Sequence, residues 1–338
     1  MRVQENQIKT NEEEPMGARR LRIVIAGGSG QVGNILGRYF HARGHGVAAL
    51  VRTTVPSAWR VVVWDGENPR GWVKELEGAD AVINLVGRSV NCRYNAANRR
   101  EILESRVKST RLLDEALASL KHPPRVWLNA STATIYRHAL DRAMDEQTGE
   151  IGGQEANAPF SWKFSIGVAT QWEEGFFAAR TPKTRKVALR SAMTMSPDRG
   201  GIFDMLLRLV RFGLGGSAGS GEQFVSWIHE EDFARAVEFL LAHEELNGPV
   251  NLSSPEPLPN REFMRALREA WGAKFGLPAA EWMLEAGAIL LRTETELVLK
   301  SRRVVPGRLL AAGFQFQFPA WPAAAMDLVR RWKRERGN

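Results

Sequence analysis

Residues 26–33, AGGSGQVG, constrain the fold of this chain more than any other segment. They hold Gly28-x-Gly30-x-x-Gly33 and, overlapping it, Gly27-x-x-Gly30-x-x-Gly33. The apolar run LRIVIA (21–26) precedes them and reads as a buried parallel strand. Gln31 to Arg43 follows as an amphipathic helix, ended by Gly44 and Gly46. A strand that enters such a loop and leaves as a helix is the setting in which this spacing binds a dinucleotide. Gly27 and Gly28 permit the tight turn, Gly30 lets the backbone approach a pyrophosphate, and Gly33 lets helix and strand pack closely. The helix N-terminus then turns free N–H groups toward the phosphates. The expected cofactor contacts are Gly27, Gly28, Ser29, Gly30, Gln31, Val32 and Gly33.

The rest of the first half alternates in the same manner. Strands are expected at 46–51, 60–64, 81–86, 125–131 and 186–193, with helices at 97–120 and 164–179. This is the βαβ pattern of an α/β fold, a Rossmann-type doubly wound parallel sheet. From about Ser196 the character changes. A glycine-rich loop spans 212–223, a strand and helix follow, PVNL (249–252) is a last strand candidate, and helices dominate beyond Pro259. The chain therefore divides into a disordered tail (1–20), a dinucleotide-binding domain (21–195) and a smaller mixed, mostly helical substrate-side domain (196–338). Late strands near 223–252 are candidates to rejoin the first sheet. Translation from Met1 and from Met16 are both left open.

Strand two bears on which dinucleotide is bound. NAD calls for an acidic residue about 20 positions past the motif, on the ribose 2′-hydroxyl. Here Arg52 stands 19 positions after Gly33. A cation there suits the 2′-phosphate of NADP. NADP(H) is the preferred cofactor and NAD(H) the second choice; an exposed strand-end arginine is the alternative role for Arg52. Asp65, at the end of strand three, is a candidate for the adenine edge.

Several motifs resemble the extended short-chain dehydrogenase/reductase superfamily: the glycine loop, NLVG (84–87) and NASTATIY (129–136). LESRVKSTRLL (103–113), FGLGGSAGSGEQFVSWIHEEDF (212–233), PVNLSSPEPLPNREF (249–263) and VVPGRLLAAGFQFQFP (304–319) are similar to its atypical "epimerase family" branch. The resemblance runs over roughly 21–326. It implies a small domain over the cofactor cleft, and it places Leu85, Val86 and Gly87 beside the cofactor. A homodimer is expected by analogy alone.

In standard members of that superfamily a Tyr-x-x-x-Lys pair on the helix after strand five moves the proton, with a Ser or Thr at the strand's end. Thr132 falls on the Ser/Thr position. Matched through Trp172-Glu173, Ser165 and Ala169 fall where tyrosine and lysine belong. No register rescues the pair: the chain has three tyrosines, and Tyr39, Tyr94 and Tyr136 are followed at the fourth position by Arg43, Asn98 and Leu140. Thr132 and Tyr136 remain the catalytic candidates, although a tyrosine just past strand five is more often a packing and capping residue. Arg106 replaces an asparagine common in extended members. It suits an anionic substrate group or cofactor phosphate, or else an ion pair with Glu104 or a neighbouring helix. His229 reads as a helix-capping residue or a proton carrier, and Lys163 as a displaced cation or an exposed one. Gln223 and Ser226 are candidates to face the cleft, and Trp227 reads as core.

Composition excludes several alternatives. Lys plus Arg is 46 and Asp plus Glu is 38, so 46 − 38 gives a formal charge of +8. The excess is spread along the chain apart from Arg330, Arg331, Lys333, Arg334 and Arg336, which suit the last turn of a helix. A basic stripe with interleaved aromatics is missing, so no nucleic-acid partner is expected. The uncharged stretch leading to Met326 is broken by Pro319 and Pro322, and no membrane partner is expected. Glu12, Glu13 and Glu14 replace the apolar core of a signal peptide. One cysteine, Cys92, excludes an internal disulfide, and the histidines show no metal-ligand spacing. The expectation is a cytoplasmic NADP(H)-binding oxidoreductase or epimerase acting on a small molecule, or a non-catalytic NADPH sensor.

Overall fold

The computed structural model describes residues 19–280, 294 and 296–337; residues 1–18 of the expected tail, with Met16, and 281–293 of the C-terminal part lie outside the described residues. The apolar runs become strands because both of their faces are covered. β1 (Arg22–Ala26), β2 (Gly46–Val51), β3 (Arg60–Val63), β4 (Ala81–Asn84), β5 (Val126–Thr132), β6 (Arg185–Ser191) and a later strand, Gly248–Leu252, form one parallel sheet. Counting the later strand as the seventh, their spatial order is 7-6-5-4-1-2-3. The order reverses between β1 and β4, and ligands of open α/β sheets bind in the crevice at the carboxyl ends there.

α1 (Gln31–Ala42) buries Gly33, Ile35, Leu36, Gly37 and Phe40, one helical stripe, against one face of the sheet. Phe233, Val237 and Leu240 join it there. They lie on the helix Glu230–Ala242. The other face is covered by α2 (Ala96–Ala118) and α3 (Phe160–Phe177), through Leu112, Leu113, Leu117 and Phe176. The result is three layers, helix, sheet, helix. Asn95 starts α2 by accepting the Asn98 amide at 2.9 Å. α3 begins four residues before the expected Phe164, because Pro159 already occupies its N-cap position.

The run expected as one strand at 186–193 is divided. After Ser191 the chain leaves the main sheet, and Met193–Met195 pairs with Trp227–His229 instead. The Ala192 amide bonds the Leu252 carbonyl at 3.0 Å and marks the crossing point. A separate core then forms around Phe203, Trp227, Phe263, Trp321 and Trp332. Three helices supply most of it: α4 (Ile202–Arg211), α6 (Asn260–Trp271) and α7 (Trp321–Arg336), with Glu230–Ala242 taken as α5. Among the described residues this C-terminal part is mostly helical.

Candidate functional site

The glycine loop leaves β1 at the switch point. Gly27 has φ +80°, in the left-handed region, and its amide and that of Gly28 bond the Leu50 carbonyl at 3.0 and 3.4 Å. A Cβ at Gly28 would lie 2.5 Å from the Ala49 Cβ, and one at Gly33 would lie 2.7 Å from the Gly27 oxygen. At Gly30 the nearest atom to a Cβ would be 3.4 Å away, so the open side of the loop is here. No side chain caps α1, whose N-cap is Gly30 itself. Uncapped amides and a helix dipole suit a phosphate. The Gln31 amide nitrogen is buried beside the loop without a hydrogen-bond partner among the described residues.

A groove of about 610 Å³ runs from this loop, lined by Gly27, Ser29, Gly30, Leu85, Val86 and Gly87. Arg52 and Asp65 line its far end. Arg52 is exposed and no carboxylate pairs with it among the described residues. Asp65 accepts the Glu67 and Asn68 amides, each at 2.9 Å, and these bonds hold its carboxyl down at about 2. The groove wall at 84–87 is fixed from below. Asn84 donates to Asn129 at 2.8 Å and accepts the Val86 amide at 3.1 Å, while Trp172 donates to Thr110 at 3.0 Å.

Leu85 and Gly87 also border a second cavity of about 270 Å³, lined in addition by Val32, Arg106, Thr132 and Ser165. Gly28, Gln31 and Gly33 line neither space; they shape the turn. Arg106 spends Nη1 on the carbonyls of Arg88 (3.1 Å) and Ile102 (2.8 Å), and its guanidinium lies 5.1 Å from the Trp172 ring centre. Burial pulls its pKa down to about 10. The alternative pair with Glu104 is not formed, because Glu104 accepts from Lys108 at 2.7 Å.

Thr132 is half-buried on the cavity wall and accepts the Thr134 amide at 3.1 Å. Tyr136 does not line the cavity. Its phenol donates to Asn251 at 3.0 Å and accepts from Arg190 at 2.9 Å. Arg190 in turn holds Glu173 through two bonds of 2.8 and 2.7 Å, and Ser131 donates to the same carboxylate at 2.6 Å. Burial raises the Tyr136 pKa although Arg190 opposes it. This network is a scaffold beneath the cavity, and that is a physical reason against Tyr136 as the proton carrier.

His229 caps α5: its Nδ1 accepts the Glu231 amide at 3.1 Å, and Nε2 faces Asp327 at 3.3 Å. Gln223 and Ser226 bind the carbonyls of Ala218 and Arg302 rather than facing the cavity. Lys163 is exposed and Trp227 is core. Among the described residues no cluster of His, Cys, Asp or Glu suits a metal, and no helix is long and apolar enough to cross a membrane.

Three cavity residues were not legible as site residues in the sequence. Glu296 is 1% exposed and accepts the Ser165 hydroxyl at 2.5 Å. Arg302 Nη2 lies 3.6 Å from its other oxygen. The Tyr94 hydroxyl lies 3.3 Å from Ser165 Oγ. Burial, and then the Glu296 charge, push the Tyr94 phenol up to about 12. Burial also raises the Glu296 carboxyl, with Arg302 and Ser165 pulling the other way.

Comparison with known proteins agrees with this architecture. A family model described as the NAD dependent epimerase/dehydratase family matches residues 23–253, and a domain of unknown function (DUF1731) matches 279–328. The bovine (Bos taurus) epimerase family protein SDR39U1 is 33% identical over 91% of this chain and 100% of its own length. The crystal structure of the human protein of that name, with NADPH, superposes with a TM-score of 0.79 at 30% identity, covering 92% of this chain and 99% of that one. A nucleoside-diphosphate sugar epimerase from Corynebacterium glutamicum gives 0.69 at 25% identity, over 95% of this chain and 62% of that one. The glycine turn, the switch-point groove and these matches together show that the chain belongs to the NAD-dependent epimerase/dehydratase family, with an extended short-chain dehydrogenase/reductase-like fold.

Proposed function

We propose that this protein binds NADP(H) and acts as an oxidoreductase or epimerase on a small molecule, without the usual Tyr–Lys pair. The observation that carries the reading is the continuity of groove and cavity. A phosphate-ready glycine loop leads past Leu85 and Gly87 into a cavity that holds a hydroxyl, Thr132, and a buried acid, Glu296. The residues fit the cofactor: Gly27, Ser29 and Gly30 would hold its pyrophosphate, Arg52 its 2′-phosphate, and Leu85, Val86 and Gly87 its inner half. Arg106 stands at the inner cavity, where its charge suits an anionic group of substrate or cofactor. The bound nicotinamide would supply hydride chemistry. Thr132 would orient a substrate oxygen, and the apolar wall of Val90, Ile102 and Trp172 would exclude water. The NADPH in the human relative supports the cofactor assignment.

The test is a titration with NADPH and NADH, followed by turnover of a panel of carbonyl compounds and nucleotide sugars. NADPH is expected to bind more tightly, and at least one carbonyl class to oxidise it. Tight NADPH binding with no turnover of any class would favour a second reading, a cofactor-bound sensor. That reading is favoured by Ser165 and Ala169, which occupy the positions of the missing pair. It predicts capture of partners that differs with and without NADPH.

A further inference from the structure

We propose that Glu296 is the catalytic acid–base residue of the inner cavity, exchanging a proton with the substrate oxygen while Ser165 and Tyr94 hold its carboxyl in place. The proposal rests on the cofactor-dependent reading above and deepens it.

The cavity offers few groups for this work. Ser131 is committed to Glu173, and Thr134 accepts from the Arg302 Nε at 3.0 Å. The Thr132 hydroxyl is an orienting group, not a base near neutral pH. Tyr94 is held as a neutral phenol, since both its burial and the nearby Glu296 charge oppose ionisation. It therefore serves as a donor to Ser165, which donates onward to Glu296 Oε2. That chain fixes one carboxyl oxygen. The other, Oε1, is buried and takes no hydrogen bond from any described residue. A buried oxygen that faces a cation at 3.6 Å but takes no hydrogen bond among the described residues is a costly state that a substrate hydroxyl on the same cavity wall relieves.

Among the described residues, Arg302 faces Glu296 at 3.6 Å, and Lys300 and Glu294 act on it at longer range. Burial outweighs the cations and holds the carboxyl above its ordinary range, the direction in which enzymes tune a catalytic carboxyl. In the reducing direction the O–H bond at Glu296 breaks and one to the substrate oxygen forms, as the substrate carbon is reduced at the expense of the nicotinamide cofactor. The carboxylate left behind is faced by Arg302 and still accepts from Ser165. In the oxidising direction the same carboxylate takes the proton back. Glu296 lies 131 residues from Ser165 in sequence, so the C-terminal segment completes the site.

The test uses the full chain with NADPH as the probe. Infrared difference spectra between about pH 5 and 8 follow the protonated-carboxyl stretch. In the wild type, a carboxyl that responds to NADPH is expected to titrate above the ordinary 4.5, beside those of Glu146 and Glu230, which burial also raises. Glu296→Gln removes that band while NADPH fluorescence titration shows affinity within about twofold of wild type. Ser165→Ala shifts the band and provides the reading if Glu296→Gln fails to fold. With any turned-over carbonyl probe, Glu296→Gln lowers kcat by roughly 10²- to 10⁴-fold with little change in KM. A band unchanged in both variants, with normal NADPH affinity, would overturn the role of Glu296 and leave the cofactor reading standing. Absence of NADPH binding in the wild type would remove the cofactor reading itself.

Discussion

Arg52 directly follows β2 on the wall of the groove, with no carboxylate partner among the described residues. A charge-assisted bond to a phosphate contributes about 1.5–3 kcal/mol, which is roughly tenfold or more in affinity. Arg52→Asp is therefore expected to weaken NADPH by at least that factor and NADH far less, measured by fluorescence titration. Equal loss for both would contradict the 2′-phosphate contact. Arg190 and Glu173 are a different case. Both are buried and mutually paired, with Tyr136 and Ser131 as the remaining partners. Arg190→Ala leaves a buried carboxylate unpaired and should cost about 3–5 kcal/mol in denaturant unfolding. At this scale the sequence was only partly legible. The glycine loop, Arg52 and Thr132 stand out because they sit at fixed offsets from strand ends. Glu296, Tyr94 and Arg302 do not, because nothing local marks them. Their roles arise from contacts spanning more than 70 residues.

At the level of the elements, apolar strand runs and punctuating glycines carried most of the information. The strands at 46–51 and the start of α1 at Gln31 coincide with the expected positions. The divided strand after Ser191 was not legible, since an apolar run has the same pattern whether it stays in one sheet or crosses to another. The turn between β1 and α1 supports a sharp prediction. A Cβ at Gly33 would lie 2.7 Å from both the Gly27 oxygen and the Gly28 Cα, so relief requires the backbone to move. Gly33→Ala is expected to lower stability by about 1–3 kcal/mol and to weaken NADPH together with it. At the start of α2, Asn95→Ala removes the cap on Asn98 and should cost about 1 kcal/mol without changing NADPH affinity. Thermal unfolding with and without NADPH separates the two effects. A Gly33→Ala protein as stable as wild type would show that the turn tolerates a side chain.

The molecule as a whole is joined by its C-terminal segment, which ties the sheet, the cavity and the helical core together. Ser301 donates to the Ala139 carbonyl at 2.5 Å, Ser226 donates to the Arg302 carbonyl at 2.7 Å, and Asn251 donates to the Val305 carbonyl at 2.9 Å. α7 meets α5 where His229 faces Asp327, with Phe318 stacked on the imidazole at 3.9 Å between ring centres. This junction makes stability depend on pH. His229 is fully buried, and its Nδ1 must stay unprotonated to accept the Glu231 amide. Burial lowers its pKa first and Arg331 second, while Asp327 opposes them. The folded pKa is thus depressed below the unfolded value of 6.5. The unfolded chain binds the proton first, so the stabilising contribution is full above 6.5 and is lost as pH falls toward the folded pKa. Wild-type unfolding free energy should fall by up to about 1.4 kcal/mol per pH unit across that window from this group alone. His229→Asn keeps a capping oxygen but cannot titrate. Its unfolding free energy, measured in denaturant at pH 7.5 and 5, should change less with pH than that of wild type. An identical slope in the two proteins would show that the acid sensitivity resides elsewhere.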